Sequence, residues 1–145
     1  MKILWTDGSA IPNPGRGGFA VIEDIDGKGK PVVLGSGENT TNIRMEAEAL
    51  IAAIEYAGGE SCEIHTDSEF WINVLTKWAP AWERRGWTKA SGPIKNLDLV
   101  KKLYGLYTER PVELKWTRGH VGTRFNEMAD EWADRARRGV KISDL

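Results

Sequence analysis

Four short signatures in this chain each carry a residue suited to holding a hard divalent cation. Asp7 lies in Thr6-Asp7-Gly8-Ser9, Glu46 in Arg44-Met45-Glu46-Ala47-Glu48, Asp67 in Thr66-Asp67-Ser68, and Asp130 in Asn126-Glu127-Met128-Ala129-Asp130. Magnesium-like ions take oxygen ligands, and a pair of them needs several carboxylates converging from distant parts of a fold. Meeting in space, these four would equip the chain for metal-dependent phosphodiester chemistry. A Gly119-His120-Val121-Gly122 segment precedes the last signature and sets an imidazole between glycines.

The carboxylates need a domain to position them, and 145 residues with 41% hydrophobic content suffice for one domain with a core. A single cysteine, Cys62, excludes a disulfide framework and a cysteine-rich zinc site. With a start that runs straight into strand-like sequence, this fits a reducing, cytoplasmic setting. No apolar run is long enough to span a bilayer, and no stripe marks an oligomer seam, so a monomer away from membranes is expected. The net charge of −1 conceals an asymmetry. Between Lys77 and Lys102 stand seven basic residues against two acidic ones, a balance of +5, which leaves −6 for the remainder. Trp78, Trp82 and Trp87 interleave with that basic stretch, and stacking combined with charge is how sugar-phosphate backbones are gripped.

Lys2 to Asp7 reads as a strand with Ile3, Trp5 and Asp7 on one face. Phe19 to Glu23 and Val32 to Gly35 follow as strands, with a hairpin connection over Asp26-Gly27-Lys28-Gly29-Lys30 between them, giving an antiparallel meander. Asn42 reads as the cap of a helix over 43–57 that stops at Gly58-Gly59, with Glu46 at the edge of its apolar arc. Glu63 to Asp67 is a short strand, and Ser68 caps a helix running to Trp78. Pro80 should interrupt it, leaving Trp82 to Gly86 as a separate short helix set at an angle. A helix over 96–107 precedes a strand over 112–117, in which Val112, Leu114 and Trp116 are expected to face inward. The last helix reaches about Arg138 with Asp130 beside its apolar stripe, and residues 139–145 form a tail expected to fray. Trp5, Trp71, Trp116 and Trp132 all read as core. The order predicts an α/β fold, one mixed sheet with helices packed on it, and Asp7 and Asp67 become neighbours if their strands pair in parallel.

Alone, a Thr-Asp-Gly or Thr-Asp-Ser is more often a turn or a cap. Taken in order and spacing from Thr6 to about Ala133, with Arg85-Gly86-Trp87 and the run from Pro93 to Asp98, they resemble the type 1 ribonuclease H family, in its bacterial form with a basic protrusion. The resemblance implies a single catalytic domain over 1–138 with the protrusion at about 77–95. It also implies an RNase H-like five-stranded sheet, a three-strand antiparallel meander plus two parallel strands. The implied activity is two-metal-ion hydrolysis of the RNA strand of RNA/DNA hybrids, leaving 5′-phosphate and 3′-hydroxyl ends. By position, Asp7, Glu46, Asp67 and Asp130 would hold two magnesium ions, with manganese able to substitute, and His120 would be the mobile catalytic histidine. Trp78, Trp82, Arg84 and Arg85 would meet the DNA strand, and Asn13, Thr41, Asn42 and Asn96 would touch sugars, bases or phosphates. Ile43, Glu69, Glu83 and Asp24 depart from the residues common at those places, which bears on hybrid affinity and not on the metal ligands.

The chemistry asks for these residue types. Four clustered carboxylates repel one another and need compensating cations. The 2′-hydroxyl distinguishes RNA from DNA and is displayed in a wide, shallow minor groove, within reach of short polar side chains such as Asn13 and Asn42. Two other readings stand beside this one: a hybrid-binding module without catalysis, and a nuclease of the same superfamily acting on DNA.

Overall fold

The computed structural model describes residues 1–118 and 124–145. The chain opens with three strands, β1 (Lys2–Ala10), β2 (Gly15–Ile25) and β3 (Lys28–Thr40), each longer than its apolar run. The β2–β3 connection turns at Asp26 and Gly27, both with positive φ (53° and 83°), and the Asp24 carboxylate accepts from the Gly27 N–H at 2.8 Å. Paired positive φ values match the twist of a two-residue hairpin. Helix α1 (Asn42–Ala57) then crosses to β4 (Cys62–Thr66), which lies parallel to β1 with Trp5 level with His65. Strand β5 (Val112–Trp116) extends the parallel side, giving the order β3-β2-β1-β4-β5.

The two faces of this sheet are covered differently. On one, Leu4, Val21 and Ile64 pack under α1 and α4 (Leu97–Glu109), joined by Trp71, Val74, Leu75 and Leu103, all fully buried. On the other, α5 (Arg124–Arg137) lays Ala129 over Trp5 and Ile22, with Phe125, Met128 and Trp132 closing the edges. Strand alternation therefore sends Trp5 and Asp7 toward α5, and Leu4 and Thr6 toward α1.

Several local expectations are corrected. The cap of α1 is Thr41, whose hydroxyl accepts from the Arg44 N–H at 3.1 Å, and Asn42 is the first helical residue. Pro80 does not split the following helix. Helix α2 (Glu69–Asn73) passes into a π-helical turn (Val74–Trp78) and on into α3 (Ala79–Arg84), with Pro80 in the first turn of α3. The wider turn lets the Ala79 N–H bond to the Val74 carbonyl, five residues back, and so absorbs a proline whose ring and missing N–H would strain a regular helix. Trp116 is not inward: it is 51% exposed, whereas Val112 and Leu114 on the same strand pack against the core. The tail carries a 3₁₀ turn over Ile142–Asp144, tied by the Asp144 carboxylate accepting from the Lys141 N–H at 2.9 Å. No helix among the described residues is long and apolar enough to cross a membrane.

Candidate active site

Asp7 lies within β1, Asp67 just past the end of β4, and Glu46 and Asp130 within the helices α1 and α5 that cover the two faces of the sheet. Asp7 is on β1 and 8% exposed. Asp67 follows the last residue of the adjacent β4. Glu46 arrives from above on α1, and Gly8 is the reason it can. A Cβ built at Gly8 would lie 2.4 Å from the Met45 carbonyl carbon and oxygen and 2.7 Å from the Glu46 amide nitrogen. Only a glycine lets the helix backbone rest on the strand there. Asp130 comes from α5, whose packing on the opposite face brings it to Asp7.

Bringing these groups together costs electrostatic energy, and their titration registers it. Burial first, then repulsion from Asp67 and a hydrogen bond shared with Asp130, push the Asp7 carboxyl well above the ordinary carboxylate range, against a modest pull from the Gly8 N–H. Burial also pushes Glu46 up to about 7, with Asp67 adding to it and the Ser68 hydroxyl opposing. The four thus form a chain of neighbours, Glu46 to Asp67 to Asp7 to Asp130. Among the described residues, no three His, Cys, Asp or Glu side chains stand gathered as a finished ion-binding cage. The donor chemistry nonetheless fits a hard divalent cation: all four donors are carboxylates, and negative charge is crowded at a partly desolvated rim where only positive charge relieves it.

Ser68, which the sequence pattern marks only as a cap, also touches a carboxylate of the candidate site. It does cap α2, accepting from the Trp71 N–H at 3.3 Å, but its hydroxyl also donates to Glu46 Oε2 at 2.9 Å. Its own N–H is held by the Thr66 hydroxyl at 3.0 Å. The Trp71 indole N–H donates to the Ile43 carbonyl at 2.8 Å, locking α2 against the start of α1. The Glu46 carboxylate is therefore aimed by residues that are themselves fixed.

Beside the carboxylates runs a groove in two adjoining clefts. One, of about 540 Å³, is lined by Asn13, Pro14, Thr41, Ile43, Lys95 and Asn96. The other, of about 340 Å³, continues from Ile43 and Asn96 to Phe70, Trp78 and Trp82, with Lys89 and Lys95 at its rim. Phe70 and Trp78 are 38% and 40% exposed, their rings turned to this cleft and not to the core. Arg84 and Arg85 are solvent-exposed at the end of α3. Asn13 and Asn42 are oriented by their oxygens: Asn42 Oδ1 accepts from the Ala10 N–H at 2.7 Å, and Asn13 Oδ1 from the Asn42 N–H at 3.2 Å. With both oxygens committed, it is their amide NH₂ groups that have donors to offer. Asn96, left-handed at φ 58°, is held by Arg44, whose guanidinium donates to Asn96 Oδ1 at 3.2 Å while gripping Asp98 in a fork at 2.8 and 3.2 Å. Nothing in the sequence singles out Arg44, which sits inside the Glu46 signature and reads as part of it. His120 lies outside the described residues. His65 stacks on Trp5 at 4.0 Å and pairs with Glu63 at 2.7 Å, a packing role on β4.

Known proteins share this architecture. A family model described as RNase H matches residues 1–138. Over 138 residues the chain is 41% identical to a protein named Ribonuclease H from Methylorubrum extorquens, covering 94% of this chain and 60% of that one. It is 42% identical over 137 residues to a Ribonuclease H from Granulibacter bethesdensis, covering 92% and 90%. The chain thus spans about 60% of the length of the first relative and 90% of the second. Among solved structures, the crystal structure of a type 1 RNase H with the type 2 active-site motif superposes with a TM-score of 0.82 at 29% identity, covering 97% of this chain and 74% of that one.

Proposed function

The chain belongs to the ribonuclease H family, and from that premise we propose that it hydrolyses the RNA strand of RNA/DNA hybrids with two divalent cations, leaving 5′-phosphate and 3′-hydroxyl ends. The observation that carries the reading is the buried Asp7 carboxyl with Asp67 and Asp130 crowded on it, in a protein that also carries a groove lined with lysines and aromatic rings. Such a concentration of charge favours cations. The groove suits the polyanion whose phosphate the cations would meet.

Asp7, Glu46, Asp67 and Asp130 would hold the ions, magnesium or in its place manganese. Bound there, the ions supply Lewis-acid stabilisation of the charge that builds on the transferring phosphate and its leaving oxygen. Ser68 fixes the Glu46 carboxylate by donating to one of its oxygens, and the other would be the one available to a cation. The Asn13 and Asn42 amide groups donate to hydroxyl and ring acceptors of the hybrid, and the 2′-hydroxyl is the acceptor that marks RNA. Thr41 and Asn96 line the same cleft for sugar and phosphate. Trp78, Trp82, Arg84 and Arg85 stack against and neutralise the DNA strand. His120 we assign to moving a proton or assisting product release. Residues 1–138 form the catalytic unit and 139–145 its tail, acting as a monomer in the cytoplasm.

A purified preparation given magnesium and labelled hybrid, duplex DNA and duplex RNA decides the substrate. Cutting of hybrid alone, lost in Asp7→Asn, is the expected result. Cutting of DNA with hybrid left intact would transfer the chain to the DNA-acting nucleases of the superfamily, and tight hybrid binding without cutting would make it a binding module.

A further inference from the structure

Ile43 stands at the junction of the two clefts and lines both. It follows Asn42 in the first turn of α1, where successive side chains point about 100° apart. Asn42 is bonded on the side of Ala10 and Asn13, while Ile43 joins Phe70, Trp78, Trp82 and Ile94 in walling the other cleft. Among the described residues, the polar side chains lining that cleft offer donors and no free acceptor. They are the Lys89 and Lys95 ammonium groups, the Trp78 and Trp82 indole N–H groups, and Asn96, whose Oδ1 already accepts from Arg44 at 3.2 Å. The Ile43 carbonyl is also taken, by the Trp71 indole N–H at 2.8 Å. Phosphate oxygens, which only accept, suit such a lining. A sugar hydroxyl does not, because its proton is left unpaired once water is displaced.

We propose that Ile43 is a specificity-determining residue: it completes an apolar wall against which a sugar of the uncut strand packs, and so admits deoxyribose there and disfavours ribose. This deepens the proposed function and rests on it. The occupant is the DNA strand, because the two lysines call for a polyanion and the wall has nothing to accept from a 2′-hydroxyl. Sugars and phosphates are displayed along the groove of a paired duplex, so the contact asks no base to leave its partner. Two consecutive residues of one helical turn then sort the strands. Asn42 meets RNA through the hydroxyl it carries, and Ile43 meets DNA through the hydroxyl it lacks.

The test uses hybrids of fixed length with one defined cleavage position. A single nucleotide of the DNA strand at a time is replaced by its ribose form or by its 2′-fluoro form. The fluorinated sugar takes the ribose pucker but has no proton to donate, so it separates the contact from the shape of the duplex. In the wild type, ribose at one position should lower kcat/KM about tenfold or more, and fluorine there should lower it little. Ile43→Val and Ile43→Thr present the same shape with a methyl or a hydroxyl in one place. The Val variant should keep the ribose penalty, and the Thr variant, which supplies an acceptor, should lose most of it. Each variant is compared with itself, modified against unmodified hybrid, so a general loss of activity or stability cancels. Equal penalties in the Val and Thr variants would overturn the inference, as would a wild type indifferent to ribose at every position or a fluorine penalty as large as the ribose one. Wild-type protein that leaves unmodified hybrid uncut would sink the proposed activity and this inference with it, whereas normal cutting with any of those three results sinks the inference alone.

Discussion

Replacing Gly8 by alanine tests whether the crossing of α1 over β1 sets the site. The new methyl would sit 2.4 Å from the Met45 carbonyl carbon and oxygen, against the 3.4 Å at which ordinary contact begins. The obstacle is backbone, so no side-chain rotation relieves it, and α1 must retreat by about 1 Å or the strand must bend by as much. Overpacking of this kind costs about 1–3 kcal/mol. The larger effect is on chemistry, because the displaced segment is the one carrying Glu46, and misplacement by about 1 Å can cost about a hundredfold in rate. Urea unfolding, steady-state cleavage of hybrid and a magnesium titration of the rate would be read side by side. We expect a loss of about 2 kcal/mol, a fall of about a hundredfold in kcat, and a rightward magnesium midpoint. Gly105 is the control: it lies inside α4, and a methyl there would meet no atom within 4 Å, so Gly105→Ala should gain about 0.5–1 kcal/mol with unchanged rate. Gly8→Ala with normal kcat and normal magnesium dependence would refute the idea that this contact places Glu46.

Three further substitutions probe the surroundings. Without divalent ions, Glu46→Gln should be more stable than the wild type at pH 8, because a carboxyl held up to about 7 from an ordinary 4.5 destabilises the fold once ionised. The ceiling is about 3 kcal/mol, reduced to about half by water reaching the half-buried group; the gap opens as pH rises from 4.5 through 7 and should be absent below it. A gap of equal size at pH 4 and pH 8, read by urea midpoints, would show that charge is not its source. Ser68→Ala removes a helix cap and the donor to Glu46, so it should cost about 1 kcal/mol and move the acidic limb of the rate profile to higher pH. Arg44→Ala breaks an exposed pair with Asp98 that contributes at most about 1 kcal/mol, yet it frees Asn96, so KM for hybrid should rise well beyond the change in stability seen by calorimetry.

Much of this arrangement is legible in the chain itself. The β2–β3 hairpin declares itself by composition, but its turn is only Asp26-Gly27, the pair that accepts two positive φ values, and Lys28 to Lys30 already belong to β3. The α1 stripe and the Gly58 stop, at φ 65°, follow from periodicity and from a positive φ that glycine adopts without steric cost. The carboxylates stand out because each ends or rides on an element whose partner the topology supplies. Trp116 misleads because alternation assigns a face and says nothing about whether anything covers it there. Pro80 misleads because a proline forbids a regular helical bond, and a π-helical turn is a lesser-used way of avoiding it. Thr41 and Asn42 both make good caps in isolation, and the tie goes to Thr41 once Asn42 is occupied holding the Ala10 N–H. Ser68 and Arg44 act through partners 22 and 52 residues away, a separation that local pattern does not reach.

The central strand also dictates when the chain can become active. Asp7 precedes the elements that surround it: its parallel neighbour β4 arrives only after α1, and α5, which docks on β1 and β2, follows β5. Pairings across such separations form late, after the local hairpin and helices. A ribosome-bound fragment ending before Asp130 therefore has an incomplete acid set and lacks the helix that seals one face of the sheet. The acid set on which the proposed cleavage rests is thus complete only once α5 has docked on the sheet.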